Sequence, residues 1–169
     1  MKAATLSIGE GPDTLDSVVA ELFRRTGMTL SLAESCTGGL VAKRITDIPG
    51  SSAYFVEGAV TYSDAAKIRT LGVSPRITEE CGAVSSATAM AMAHGMRQLS
   101  GSDIALAITG IAGPAGGSPE KPVGTVFLAL ATPAGCQAKE YRFSGCRDEI
   151  RTITACTALD WLRRYLLSL

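Results

Sequence analysis

The sequence holds a single histidine, His94, and its five cysteines (Cys36, Cys81, Cys136, Cys146, Cys156) form no C-x-x-C pair. With no histidine spaced to join them, neither a metal site nor a disulfide framework is expected, and the thiols read as reduced. Net charge is lacking too, since 16 Lys+Arg stand against 16 Asp+Glu. The absence of a basic tract argues against nonspecific nucleic-acid binding. No apolar run is long enough to span a bilayer, and the opening residues do not read as a signal peptide. A soluble, cytoplasmic protein that engages neither membrane nor nucleic acid is expected. Aromatic residues make up only 5% of the 169, beside 18 Gly and 7 Pro. That balance suits an α/β domain with tight loops and a core large enough to fold alone.

Residues 1–12, small and Gly-rich around "GEGP", read as an irregular arm ahead of a single domain over 13–169. Leu15, Val18, Val19 and Leu22 recur at helical spacing, and Gly27 can cap that helix. A short strand over Met28–Ala33 precedes a helix in "GGLVAKRITDI". Ala53–Tyr62 reads as a second strand, with Gly58 a bulge or close-approach point. A short helix around "DAAKIRTLG" comes next. A long helix starts near Ser85 or Ser86 and runs through Met96, and Asp103–Gly110 reads as a buried strand. "TVFLALAT" and "CQAKEYRFSG" flank "PAG" as an antiparallel hairpin, and a final helix starts near "CRDEIRTIT". One mixed sheet with helices on both faces is the simplest assembly.

Three of these strands end in reactive-looking residues: Glu34-Ser35, Tyr62-Ser63 and Thr109-Gly110. If the strands are parallel neighbours, their tips form one pocket, because ligands in open α/β sheets gather beyond the carboxyl ends of strands. Ser35 is either a helix N-cap or a nucleophile. As a nucleophile it needs donors for an oxyanion, which the amides of Thr37, Gly38 and Gly39 at a helix start can supply. It also needs a base. His94 lies within a long Ala/Met-rich helix, and the G-x-S-x-G elbow is absent, so a Ser-His-Asp triad has little support. A lysine kept neutral by burial can replace histidine, and Lys67 follows Tyr62 by five residues, within reach of the same tip. Read singly, Lys67 is a surface helix lysine and Tyr62 a packing residue. Cys36 is the rival nucleophile if a helix N-terminus lowers its pKa, and a packing residue otherwise. The loop "GIAGPAGGSPEKPVG" carries Gly110, Gly113, Gly116 and Gly117, which suit a backbone wrapped around an anion, with Lys121 adding charge. It lacks both the P-loop ending and the dinucleotide spacing, so a plain Gly/Pro loop remains the alternative.

The strings "AESCTGGLVAKRITDIPGSSAYF", "GAVTYSDAAKIRTLGV", "GAVS", "TGIAGPAGG" and "EKPVGTVFLA" occur in this order. In them the chain resembles the CinA C-terminal domain family over about residues 13–165. The resemblance implies a three-layer α/β/α sandwich on a mixed, mostly parallel sheet. It implies a metal-free nicotinamide-nucleotide amidase that converts nicotinamide mononucleotide to nicotinate mononucleotide and ammonia, a step of pyridine nucleotide recycling. The family's serine falls on Ser35, its tyrosine on Tyr62, its lysine on Lys67, and the residue before G-I-A-G-P on Thr109. Relatives often carry G-D-R before the last helix, where this chain has Cys146 in place of the acid and keeps Arg147 as a candidate substrate-binding residue. The resemblance also suggests a homodimer. Many relatives carry a preceding domain, and this chain is expected to be the stand-alone type. Ser35 would attack the amide carbon as Lys67 takes its proton, with Tyr62 relaying or orienting and Thr109 positioning the substrate or Lys67. No cofactor is expected. The rivals are a non-catalytic pyridine-nucleotide-binding module and an amidase of another carboxamide.

Overall fold

A computed structural model describes residues 14–169 of the chain. The expected arm, residues 1–12, lies outside them. Five strands form one sheet in the order β2-β1-β3-β4-β5, from β1 (Leu30–Glu34), β2 (Phe55–Val60), β3 (Ile104–Gly110), β4 (Thr125–Thr132) and β5 (Gly135–Arg142). The two pairings made by β1 are parallel and the two made by β4 are antiparallel. Parallel neighbours need a crossover that covers a face of the sheet. The helices α1 (Leu15–Thr26), α2 (Leu40–Thr46) and α6 (Arg147–Leu166) cover one face, and α3 (Asp64–Leu71), α4 (Pro75–Cys81) and α5 (Ser86–Ser100) lie on the other. The result is the three-layer α/β/α sandwich.

The two faces differ in size of side chain. Leu30, Leu32, Ile104, Leu106, Ile108, Leu128 and Leu130 fill the space under α1, α2 and α6. Toward α5 the strands present Ala33, Ala105, Ala107, Ala129 and Ala131, with Phe127 the one large residue, so this helix lies close to the sheet. Its buried Met92 and Met96 fill the gap, each burial stabilising by about 1.5–3 kcal/mol. Gly95 lets α3 approach as closely: a Cβ there would lie 1.8 Å from the Leu71 carbonyl oxygen. That contact fixes α3, and with it Lys67, against α5.

The helix ends follow local rules. Thr14, Ser63 and Ser85 accept from first-turn amides as N-caps, and Gly27, Gly72 and Gly101 close helices with a left-handed φ. α4 is an addition to the expected elements: Pro75 opens it, yet none of its residues is buried, so it shows no apolar stripe. Pairing jumps from Leu30↔Phe55 to Ser31↔Glu57, which puts the bulge of β2 at Val56 rather than Gly58. Gly58 is instead a close-approach point, where a Cβ would meet the Phe55 ring at 3.0 Å and Ala42 at 3.6 Å.

Candidate active site

The strand order makes the tips of β2, β1 and β3 neighbours. In that register Ala33 pairs with Ala59 and with Ala107, all three packed toward α5. Two residues further on, the same face carries Ser35 after β1, Thr61 after β2 and Thr109 at the end of β3. The Ser35 amide donates to the Ile108 carbonyl and the Thr61 amide to the Glu34 carbonyl, so the ladder continues to these positions. Ser35, Thr61 and Thr109 are buried.

Lys67 reaches this point from α3. It is 1% exposed, against the surface position its helix suggests when read alone. Its Nζ lies 3.4 Å from Ser35 Oγ and donates to the carbonyls of Thr61 and Tyr62, each at 3.2 Å. Burial lowers the Lys67 pKa from its ordinary value, and the Asp64 carboxylate 3.7 Å away opposes that shift. Thr109 Oγ1 donates to the Ala83 carbonyl, which ties the tip of β3 to the connection before α5. Cys36 lies in the core against the other face, and burial pushes its thiol up to about 12. A thiol so placed is neutral and a weak nucleophile near pH 7. Ser35 is the residue with an amine beside it.

The cap differs from the one expected from sequence, and two of the three expected oxyanion donors, the Gly38 and Gly39 amides, are already taken. Glu34, 1% exposed, turns to the α2 side of the sheet. Its carboxylate accepts from the amides of Gly39 at 3.0 Å, Val41 at 3.2 Å and Ala42 at 2.8 Å. The α2 N-terminus is therefore capped by Glu34 and not by Ser35, whose hydroxyl is left to face Lys67. The Gly39 amide is taken by this carboxylate and the Gly38 amide by the Ser35 carbonyl, so neither is open to an oxyanion. Among the described residues, the amides of Cys36 and Thr37 donate to no carbonyl or carboxylate oxygen but point at the Cys36 sulfur, and the buried Thr37 hydroxyl is unpartnered. The left-handed φ of 61° and 91° at Gly38 and Gly39 closes the turn and fits glycine. Arg151, from α6, donates twice to the Thr37 carbonyl and pins the turn from outside. An acid at a strand tip followed by a Gly-Gly helix start was the signal for Glu34 in the sequence.

Over the mouth, Arg147 in the first turn of α6 donates to the Tyr62 phenol oxygen at 2.9 Å and to the Gly113 carbonyl at 2.7 Å. Tyr62 is exposed, and the bond to its phenol holds it at the rim. Cys146, where relatives often have an acid, is the residue before α6, and its amide donates to Glu149. The half-open cavity is about 160 Å³, and its walls include Ser35, Cys36, Tyr62, Asp64, Lys67 and Thr109. Gly110 and Arg147 also line it, whereas Gly113 meets it only through Arg147. Gly116 and Lys121 are not among its walls; Lys121 Nζ donates to the Cys81 carbonyl at the end of α4. The expected anion loop thus presents a carbonyl toward the site, and Arg147 is the cation at its edge. A larger cleft of about 220 Å³ lies between Trp161 and the β4–β5 turn, but it holds no nucleophile with a base. Among the described residues, no three His, Cys, Asp or Glu side chains group to hold a metal ion, and no helix is long and apolar enough to cross a membrane.

A model of the CinA C-terminal domain matches residues 12–166. A CinA-like protein of Geotalea uraniireducens is 69% identical over 160 residues, which is 95% of this chain and 38% of that protein. A CinA-like protein of Geobacter sulfurreducens is 65% identical over 161 residues, 95% of this chain and 39% of its own. This chain therefore spans less than half the length of these curated relatives. Among solved structures, the competence/damage inducible protein CihA from Agrobacterium tumefaciens is 44% identical with a TM-score of 0.85, covering 93% of this chain and 97% of that one. A CinA superfamily protein from Klebsiella pneumoniae is 34% identical with a TM-score of 0.88, covering 92% and 97%.

Proposed function

Because the chain belongs to the CinA C-terminal domain family, we propose that it is an amidohydrolase of the Ser-Lys type that deamidates nicotinamide mononucleotide. The observation that carries this reading is the buried Lys67 amine 3.4 Å from the Ser35 hydroxyl. A hydroxyl alone is a poor nucleophile, and an amine kept partly neutral by burial is a base that works near neutral pH. Ser35 Oγ attacks the carboxamide carbon as its proton passes to Lys67 Nζ. The carbonyl oxygen, now an anion, takes the amides of Cys36 and Thr37, which Glu34 and Arg151 keep in place by fixing the turn on either side. On collapse, Nζ returns the proton to the leaving nitrogen and ammonia departs. Water, deprotonated by the same amine, then cleaves the acyl ester. The cavity suits a pyridine carboxamide, and the ribose phosphate would lie across the rim, where Arg147 offers a planar donor to phosphate. Pyridine nucleotide recycling is the matching role.

Ammonia release from nicotinamide mononucleotide, nicotinamide, glutamine and asparagine tests the reading. Turnover of the mononucleotide is expected to exceed that of the other amides. Ser35→Ala is expected to lose about 10⁴-fold or more, as nucleophile removal does elsewhere, and Cys36→Ala to keep most activity. Retained activity in Ser35→Ala would sink the mechanism. Tight calorimetric binding of the mononucleotide with no ammonia released would replace it with a binding module.

A further inference from the structure

Among the described residues, the polar groups brought toward Lys67 Nζ come from three strand ends. The turn after β1 brings the Ser35 hydroxyl and the Cys36 thiol, the latter neutral because burial pushes it up to about 12. The end of β2 brings the Thr61 and Tyr62 carbonyls and the Tyr62 phenol, itself held by the Arg147 guanidinium from α6. The end of β3 brings the Thr109 hydroxyl, which is committed to the Ala83 carbonyl. Glu34, although adjacent to Ser35 in sequence, spends its carboxylate on the α2 amides on the opposite face of the sheet. Among the described residues, one acid remains in the walls of this cavity. Asp64 Oδ1 lies 3.7 Å from Lys67 Nζ, one helical turn earlier in α3, and its residue lines the same cavity.

We propose that Asp64 is a positioning residue for the reaction, the counter-ion of the ammonium formed when Lys67 takes the Ser35 proton, and that it sets the lowest pH at which the site works. The proposal rests on the Ser-Lys reading above. The proton balance is simple. The Ser35 O–H bond breaks as the Oγ–carbon bond forms, the proton resides on Nζ as an ammonium, and it leaves on the ammonia nitrogen. Asp64 neither gains nor loses a proton. Its part is electrostatic, and it grows as the positive charge on Nζ develops. Burial alone would leave an amine with little affinity for the proton it must accept. A carboxylate beside it restores that affinity, and Asp64 is the largest influence opposing burial at Lys67. The side chain of Asp64 is 55% exposed, so water screens its pull and Lys67 is not locked in the charged state. Ser63 caps α3 just before it, which fixes the direction of the first turn.

The test is the pH profile of kcat/KM for the wild type, Asp64→Asn and Asp64→Glu, with the Lys67 titration followed in parallel by NMR of ¹³C-labelled lysine, assigned with Lys67→Met. Removing an opposite charge within 4–6 Å lowers a lysine pKa by about one unit at the weak end, which is the end a half-exposed partner reaches. Asp64→Asn is therefore expected to move the acid limb and the Lys67 titration down by about one unit, and to lower the plateau rate because the forming ammonium has lost its partner. Asp64→Glu keeps the charge and is expected to restore both toward wild type. A merely structural role for Asp64 would lower activity without moving the limb. A Lys67 titration that does not move in Asp64→Asn overturns the inference, whether or not ammonia is released. A titration that moves in a protein releasing no ammonia supports the ion pair and refutes the amidohydrolase reading.

Discussion

The substitution Glu34→Gln isolates what holds the nucleophile turn. The glutamine has the size of the glutamate, so packing is kept, but one of its two terminal atoms becomes a donor. In the native turn both carboxylate oxygens accept, Oε2 from Gly39 and Val41 and Oε1 from Ala42, at a site 1% exposed. Gln can keep one acceptor, so at least one buried amide at the start of α2 is left facing another donor. A hydrogen bond to a charged group contributes about 1.5–3 kcal/mol, and the lost attraction between carboxylate and helix N-terminus adds about 0.3–1. The expected cost is about 2–4 kcal/mol, a fall in Tm of roughly 4–16 °C for a domain of this size. Urea unfolding should show a lower midpoint with an unchanged slope, because the same surface is exposed on unfolding. At a temperature where the variant is fully folded, kcat should also fall, since the turn now competes for the Cys36 and Thr37 amides. An unchanged Tm would refute the assignment of Glu34 as the cap of α2. A lowered Tm with native kcat would refute its link to the oxyanion donors.

Lys67→Met should abolish activity while leaving the protein as stable or more so, because an apolar chain of similar length replaces a buried amine. The sign of its pH dependence follows from the lowered Lys67 pKa. Between that value and 10.5, where the unfolded lysine titrates, the unfolded chain binds more protons, so native stability gained from Lys67 rises with pH. Denaturation curves of wild type and Lys67→Met at several pH values should therefore diverge most at low pH, and parallel curves would contradict a perturbed Lys67. Arg147→Ala removes exposed bonds to Tyr62 and Gly113, so little change in stability is expected. Its effect should appear as a raised KM for a phosphorylated substrate with little change for an unphosphorylated amide. Equal effects on both would separate Arg147 from phosphate binding.

Much of the fold was legible along the chain because it is local. The caps at Gly27 and Ser85, the apolar spacing of α1 and the run of β3 each depend on neighbours within a few residues. The helix α4 was not legible, since an element that buries none of its residues leaves no periodic trace. The suggestion that three strand tips converge could be made from their polar ends, but adjacency is a property of the sheet order and not of any segment.

Sequence by itself determined the chemistry available: a hydroxyl, an amine, a phenol and a glycine turn, in an order that marks the family. Tertiary structure decided which of these groups act on one another. Lys67 is buried and next to Ser35 only because Gly95 lets α3 close on α5, and because the register puts Ser35 and Thr109 on one face of the sheet. The opposite face claims Glu34, and that alternation separates two adjacent residues into a helix cap and a hydroxyl beside Lys67. It also commits the Gly38 and Gly39 amides to partners within the turn, which leaves Thr37 alone of the three amides expected from sequence. Backbone amides are present at every residue, so sequence cannot mark which are free. Only the accounting of partners in the folded chain does so.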